Sequence, residues 1–205
     1  MRQEQKRRGD FYASLVVIMI WQDNGDEQMA KKDMEKREST KNQVKERLIA
    51  FMDEHQWKYD FDEEHWMFIS GIGLKNYVSS VQYAISIKES HVINYAVLPV
   101  NAKKHYKRLV EFLCRANFGL IFGKFEFDHR DGEIRYKLEM TSDAILADDV
   151  NIGLLLYKPG LMIDKYVKGI VQVITGAMKA KEAIALCEHD LYDDGNGDSD
   201  GAEEK

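Results

Sequence analysis

Six histidines (His55, His65, His91, His105, His129 and His189) and two cysteines (Cys114 and Cys187) are the side chains of this sequence best suited to a zinc-type site. The histidines fall on six different segments, and none has the His-Glu-x-x-His or paired-cysteine spacing that sets ligands on one helix face or one turn. Cys187-Glu188-His189 offers two donors where structural zinc takes four. Gly71-Ile72-Gly73 lacks the third glycine and following helix of a dinucleotide loop and reads as a kink in a strand. The carboxylate pairs Glu63-Glu64 and Asp148-Asp149 sit beside turns, where solvation accounts for them, and there is no Gly-x-Ser-x-Gly elbow. Asn196, Asp198, Asp200 and Gly201 echo the first half of a calcium loop, but its acidic twelfth ligand would fall past Lys205. No chemistry is spelled out, so the expectation is no catalytic residue, no cofactor and no metal.

Charge narrows the partners. Of 35 acids and 29 bases, eight acids and one lysine lie between Glu188 and the end, which leaves the rest of the chain almost neutral. A neutral body offers no broad basic field for phosphate backbones, so nucleic acid is not expected. Two distant cysteines do not make a disulfide framework, which fits a reducing cytoplasm. The apolar run from Phe11 to Trp21 follows Arg2, Lys6, Arg7 and Arg8, in the manner of a secretory leader. It then meets Gln22-Asp23-Asn24-Gly25-Asp26-Glu27 without a small-x-small cleavage site, and eleven residues are too few to span a bilayer as a helix. No membrane partner is expected, and Met29 or Met34 are alternative starts.

The elements that would have to position any site are clearer. Thr40-Lys41-Asn42-Gln43 has the form of a capping box, and Val44, Leu48, Phe51, Met52 and His55 follow at helical spacing. Trp57–Phe61 reads as a short strand or arm, and strands follow over 66–74, 81–88 and 92–98. Asn101 can cap a helix to about Asn117, with Tyr106, Leu109, Val110 and Leu113 on its buried face. Then comes a hairpin: Ile121, Gly123, Phe125 and Phe127 share the core phase of one strand, Ile134, Tyr136, Leu138 and Met140 that of the next, and Asp131-Gly132 closes the turn. Residues 142–157 read as a helical turn plus connection, and Pro159 as the first residue of a long helix to about Leu186. The fold class is therefore α+β, an antiparallel sheet faced by helices in the order α-β-β-β-α-β-β-α. Residues 1–39 read as a flexible extension, 40–187 as the folded domain and 188–205 as a disordered acidic tail.

Glu111-Phe112-Leu113, Asn117-Phe118-Gly119-Leu120, Gly123-Lys124-Phe125-Glu126-Phe127-Asp128 and Asp131-Gly132-Glu133-Ile134-Arg135-Tyr136 resemble the YbjN family. The resemblance spans roughly residues 41–185, and its sharp part is the core of about thirty residues that holds these stretches. It implies a fold similar to the type III secretion chaperones, which commonly dimerise, and a bacterial chaperone-like or sensory-transduction role without established catalysis. The expected function is a non-catalytic cytoplasmic protein-binding module with a protein or peptide client; a small-ligand protein or an enzyme with an unannounced pocket is the alternative.

Two surfaces are expected to carry it. Phe122, Val92 and Leu98 lie out of phase with their apolar neighbours and could form a partner patch. The helix after Pro159 is apolar around more than one face, and Val171, Val173 and Met178 are the residues expected to meet a second copy in a homodimer. The tail, with only Leu191-Tyr192 as a large apolar pair, cannot offset the entropy of ordering. Truncation after Glu188 should therefore shift the urea midpoint by less than about 1 kcal/mol equivalent.

Overall fold

The computed structural model describes residues 32–103 and 106–188. Helix α1 (residues 32–54) buries Val44, Leu48, Phe51 and Met52, the stripe its spacing predicts. It does not start at Thr40. The Thr40 hydroxyl donates to the Lys36 carbonyl at 2.9 Å, a mid-helix back-bond rather than a cap, so 32–39 are helical too.

Six strands follow in one antiparallel sheet of order β1-β2-β3-β4-β6-β5: β1 (Asp60–Asp62), β2 (Met67–Gly73), β3 (Ser80–Ile87), β4 (His91–Asn101), β5 (Lys124–Phe127) and β6 (Glu133–Thr141). Helix α2 (Tyr106–Phe118) separates β4 from β5; α3 (Ser142–Ala147), α4 (Asp149–Ile174) and α5 (Ala180–Glu188) complete the described residues. The α+β class and the antiparallel sheet are as the sequence indicates. The hairpin turn is as well: Gly132 has φ 87°, and its N–H donates to the Asp128 carbonyl at 2.8 Å.

Register sorts the side chains. Phe68, Ile85, Asn94 and Leu138 stand in one row and Tyr83, Ala96, Tyr136 and Phe125 in the next, all on the face that the helices cover. Val92 and Leu98 belong to this buried face, so the helices already occupy them and they do not line an exposed patch. The opposite face carries Ile69, Ala84, Tyr95 and Lys137 in one row, with Ile93 and Val97 beside Tyr95. Ile93, Tyr95 and Val97 are only half-buried there, and the Arg135 guanidinium lies 4.5 Å over the Tyr95 ring.

Pro159 does not open the last long helix; it lies inside α4, ten residues from its start. Proline has no N–H, so the carbonyl four residues earlier, Leu155, loses its helical donor. Asn94, buried in the centre of β4, supplies the replacement: its Nδ2 donates to the Leu155 carbonyl at 3.0 Å. The Asp148 side chain caps the true start, accepting from the Asn151 N–H at 3.0 Å. Asn94→Ala should cost about 1–3 kcal/mol by leaving a buried carbonyl unpaired. Adding Pro159→Ala should recover most of it by restoring the helical donor. Denaturation of both single variants and the double variant measures that coupling, and additive losses would refute it.

The α4 helix ends at Thr175, Gly176 turns the chain, and α5 folds back along α4. Gly169 lets them close, for a Cβ there would meet Cys187 Sγ and the Phe112 ring at 2.7 Å. The wide apolar girth of α4 is thus shared among the sheet, α2 and α5 within one chain. Val173 is fully buried, whereas Val171 and Met178 are half-buried.

Candidate protein-binding surface

Five of the eleven exposed large apolar side chains among the described residues stand at one corner, where α2 hands over to β5. Phe118 is 96% exposed, Ile121 89% and Phe122 47%, all within five residues. Tyr106 and Val110 add to them from the outer face of α2. Ile121 was placed by alternation on the core side of a strand, but β5 begins only at Lys124 and 119–123 form a loop. The pattern Gly119-Leu120-Ile121-Phe122-Gly123, an apolar run held between two glycines, was the available signal for a displayed loop rather than a strand.

The loop is fastened from beneath. The Tyr136 hydroxyl donates to the Phe122 carbonyl, and Gly123, at φ 70°, lies so close to Tyr136 that a Cβ would come within 2.6 Å of its ring. Burial pushes the Tyr136 hydroxyl pKa up to about 12, so this donor keeps its proton at every physiological pH. Asn117, in the last turn of α2, makes two further bonds: its Oδ1 accepts from the Phe125 N–H at 2.7 Å and its Nδ2 donates to the Phe125 carbonyl at 2.9 Å. These bonds also occupy the backbone groups that Phe125 would otherwise present on the open side of β5. At that residue the edge of β5 therefore has no free backbone pair to offer an added strand.

Between α2 and β5 runs a groove of about 410 Å³, lined by Val110, Leu113, Cys114, Phe125, Phe127 and His129. Its far end is aromatic: the His129 ring meets Tyr106 edge-on at 5.0 Å and Phe127 at 4.8 Å. On the other side of β5 the surface turns polar, with Arg135 bonded to Glu126 at 2.9 Å and Asp128 to Arg130. The Arg130 guanidinium holds the Asp128 carboxyl down to about 2. The corner thus offers three exposed apolar side chains, a groove and a charged border side by side. Among the described residues, no three His, Cys, Asp or Glu side chains come together as a metal site, and no helix is long and apolar enough to cross a membrane.

Residues 45–156 match the model of a family, YbjN, described as "Putative bacterial sensory transduction regulator". The chain belongs to the YbjN family. The YbjN match runs from within α1 to the second turn of α4, so it contains the sheet, α2 and the exposed corner, whereas most of α4 and all of α5 lie outside it. No curated protein and no solved structure matches the chain. Of the residues singled out in the sequence, Phe122 stands in the YbjN corner; Val92 and Leu98 lie in the core, and Val171, Val173 and Met178 lie beyond the match. Phe118 and Ile121 are the corner residues that sequence reasoning did not select. The tail's calcium-like residues, His189 and the apolar run Phe11–Trp21 lie outside the described residues.

Proposed function

We propose that this YbjN protein is a non-catalytic, cytoplasmic chaperone-like or regulatory module that binds a protein client through the corner between α2 and β5. The observation that carries the reading is the pairing of near-complete exposure at Phe118 and Ile121 with a loop backbone fixed to the core through Tyr136 and Asn117. Large apolar side chains left in water on a mobile loop lose entropy on binding. Held in place, they are pre-organised anchors. The neighbouring groove can accept an apolar side chain in return, and the charged border along β5 gives the contact its register.

Phe118→Asp combined with Ile121→Asp should leave the melting temperature within about 2 °C of the parent, because neither side chain is in the core. The same variant should lose the client in affinity purification from the native cytoplasm. Retention of the same client by the double variant would refute the corner as the contact. Sedimentation equilibrium separates a client from a second copy of this chain: if the homodimer expected from the sequence uses this corner, the double variant returns the 23.8 kDa monomer mass.

A further inference from the structure

A second groove, of about 280 Å³, lies among the β2–β3 loop, α4 and the end of α5. It is lined by Asn76, Tyr77, Asp164, Lys165, Lys168 and Leu186, with Cys187 at its wall. Both ammonium groups face aromatic rings, Lys165 at 5.2 Å from the Tyr166 ring centre and Lys168 at 5.9 Å from that of Tyr77. The nearby carboxylates are engaged elsewhere. Asp164 accepts from the Asn76 N–H at 3.1 Å and from Asn76 Nδ2 at 2.8 Å, and Glu188 accepts from the Tyr166 hydroxyl at 2.9 Å. Among the described residues, neither Lys165 nor Lys168 makes an ion pair. The chain leaves the described fold at this same place, since Leu186 and Cys187 form part of the groove and Glu188 is the last residue of α5.

Residues 189–205 carry seven acids and one lysine, and open with His189-Asp190-Leu191-Tyr192-Asp193-Asp194. We propose that this acidic segment folds back over the groove, with Leu191-Tyr192 against Tyr77 and Asp193-Asp194 on Lys165 and Lys168. Three features on the structure select this occupant: opposite charge, an exposed aromatic ring for the one apolar pair of the tail, and a tether that starts at the groove. At about 3.3 Å per extended residue, Asp194 reaches no farther than ~20 Å from Glu188, so the tail is concentrated on the groove without any search. The hold is electrostatic and shallow. It therefore leaves the unfolding midpoint almost unmoved.

Hydrogen exchange of the β2–β3 loop, residues 74–79, reads the contact directly. At low salt the full chain should exchange there roughly threefold or more slower than a chain ending at Glu188, and the difference should vanish near 0.5 M salt, where the screening length falls to a few ångströms. Lys165→Glu with Lys168→Glu should abolish the protection, and adding Asp193→Lys with Asp194→Lys should restore it. Should the reversed lysines disturb α4 by circular dichroism, the Lys165→Gln and Lys168→Gln pair serves in their place. Equal exchange in the full and shortened chains, or protection that survives loss of both lysine charges, would overturn the proposal.

Discussion

Val173→Lys should strongly destabilise this domain, not split a dimer. Val173 has no solvent exposure, and its side chain lies in the cluster formed by α4 with the sheet, α2 and α5. An ammonium there would be stripped of water without a carboxylate to receive it, a cost of more than about 4 kcal/mol against a total stability of roughly 5–15 for a domain of this kind. Val171→Lys, two residues away on the half-buried side, should cost under about 1 kcal/mol because a lysine there can run its stem along the surface and keep its charge in water.

The pH dependence identifies the cause. A buried lysine has its folded-state pKa depressed, so the unfolded chain binds more protons between that value and the ordinary ~10.4, and stability must rise with pH across the interval. Urea denaturation of Val173→Lys at neutral and alkaline pH checks this. A variant that stays folded at neutral pH and merely changes sedimentation mass would return Val173 to the surface.

Gly123→Ala is the second large effect, and it joins stability to binding. At φ 70° an alanine pays roughly 1–2 kcal/mol for left-handed backbone, and its Cβ would also lie 2.6 Å from the Tyr136 ring and 2.7 Å from the Lys137 carbonyl. Neither neighbour can retreat cheaply, since Tyr136 is buried and Lys137 belongs to the β4–β6 ladder. The expected loss is about 2–4 kcal/mol, with release of the loop that displays Ile121 and Phe122. Tyr136→Phe is the gentler companion: it keeps the ring and removes only the donor to Phe122, so about 1 kcal/mol of stability should go while client affinity falls more than stability does. If Gly123→Ala binds the client as the parent does, the fixed loop is not what the client reads.

Alternation and spacing by themselves determined the α+β class, the hairpin closed by Asp131-Gly132 and the buried stripe of α1. Each of these is local: a period of two or of 3.6, or one glycine at positive φ, is written in consecutive residues. What failed failed for one reason, that the deciding partner is remote in sequence. Pro159 looks like a helix start because an interior proline orphans a carbonyl, and only the sheet could bring Asn94 to Leu155 across 61 residues to satisfy it. Val92 and Leu98 share a phase that could have faced either way. Which side of β4 is core was settled when α4 packed there, leaving Ile93, Tyr95 and Val97 on the other side. Val173 appeared free to meet a second copy until α5 turned back along α4, and Ile121 appeared buried until Tyr136, fifteen residues on, fixed the loop with its side chains outward. A sequence states which residues avoid water; the closure of helices and sheet decides which of them can.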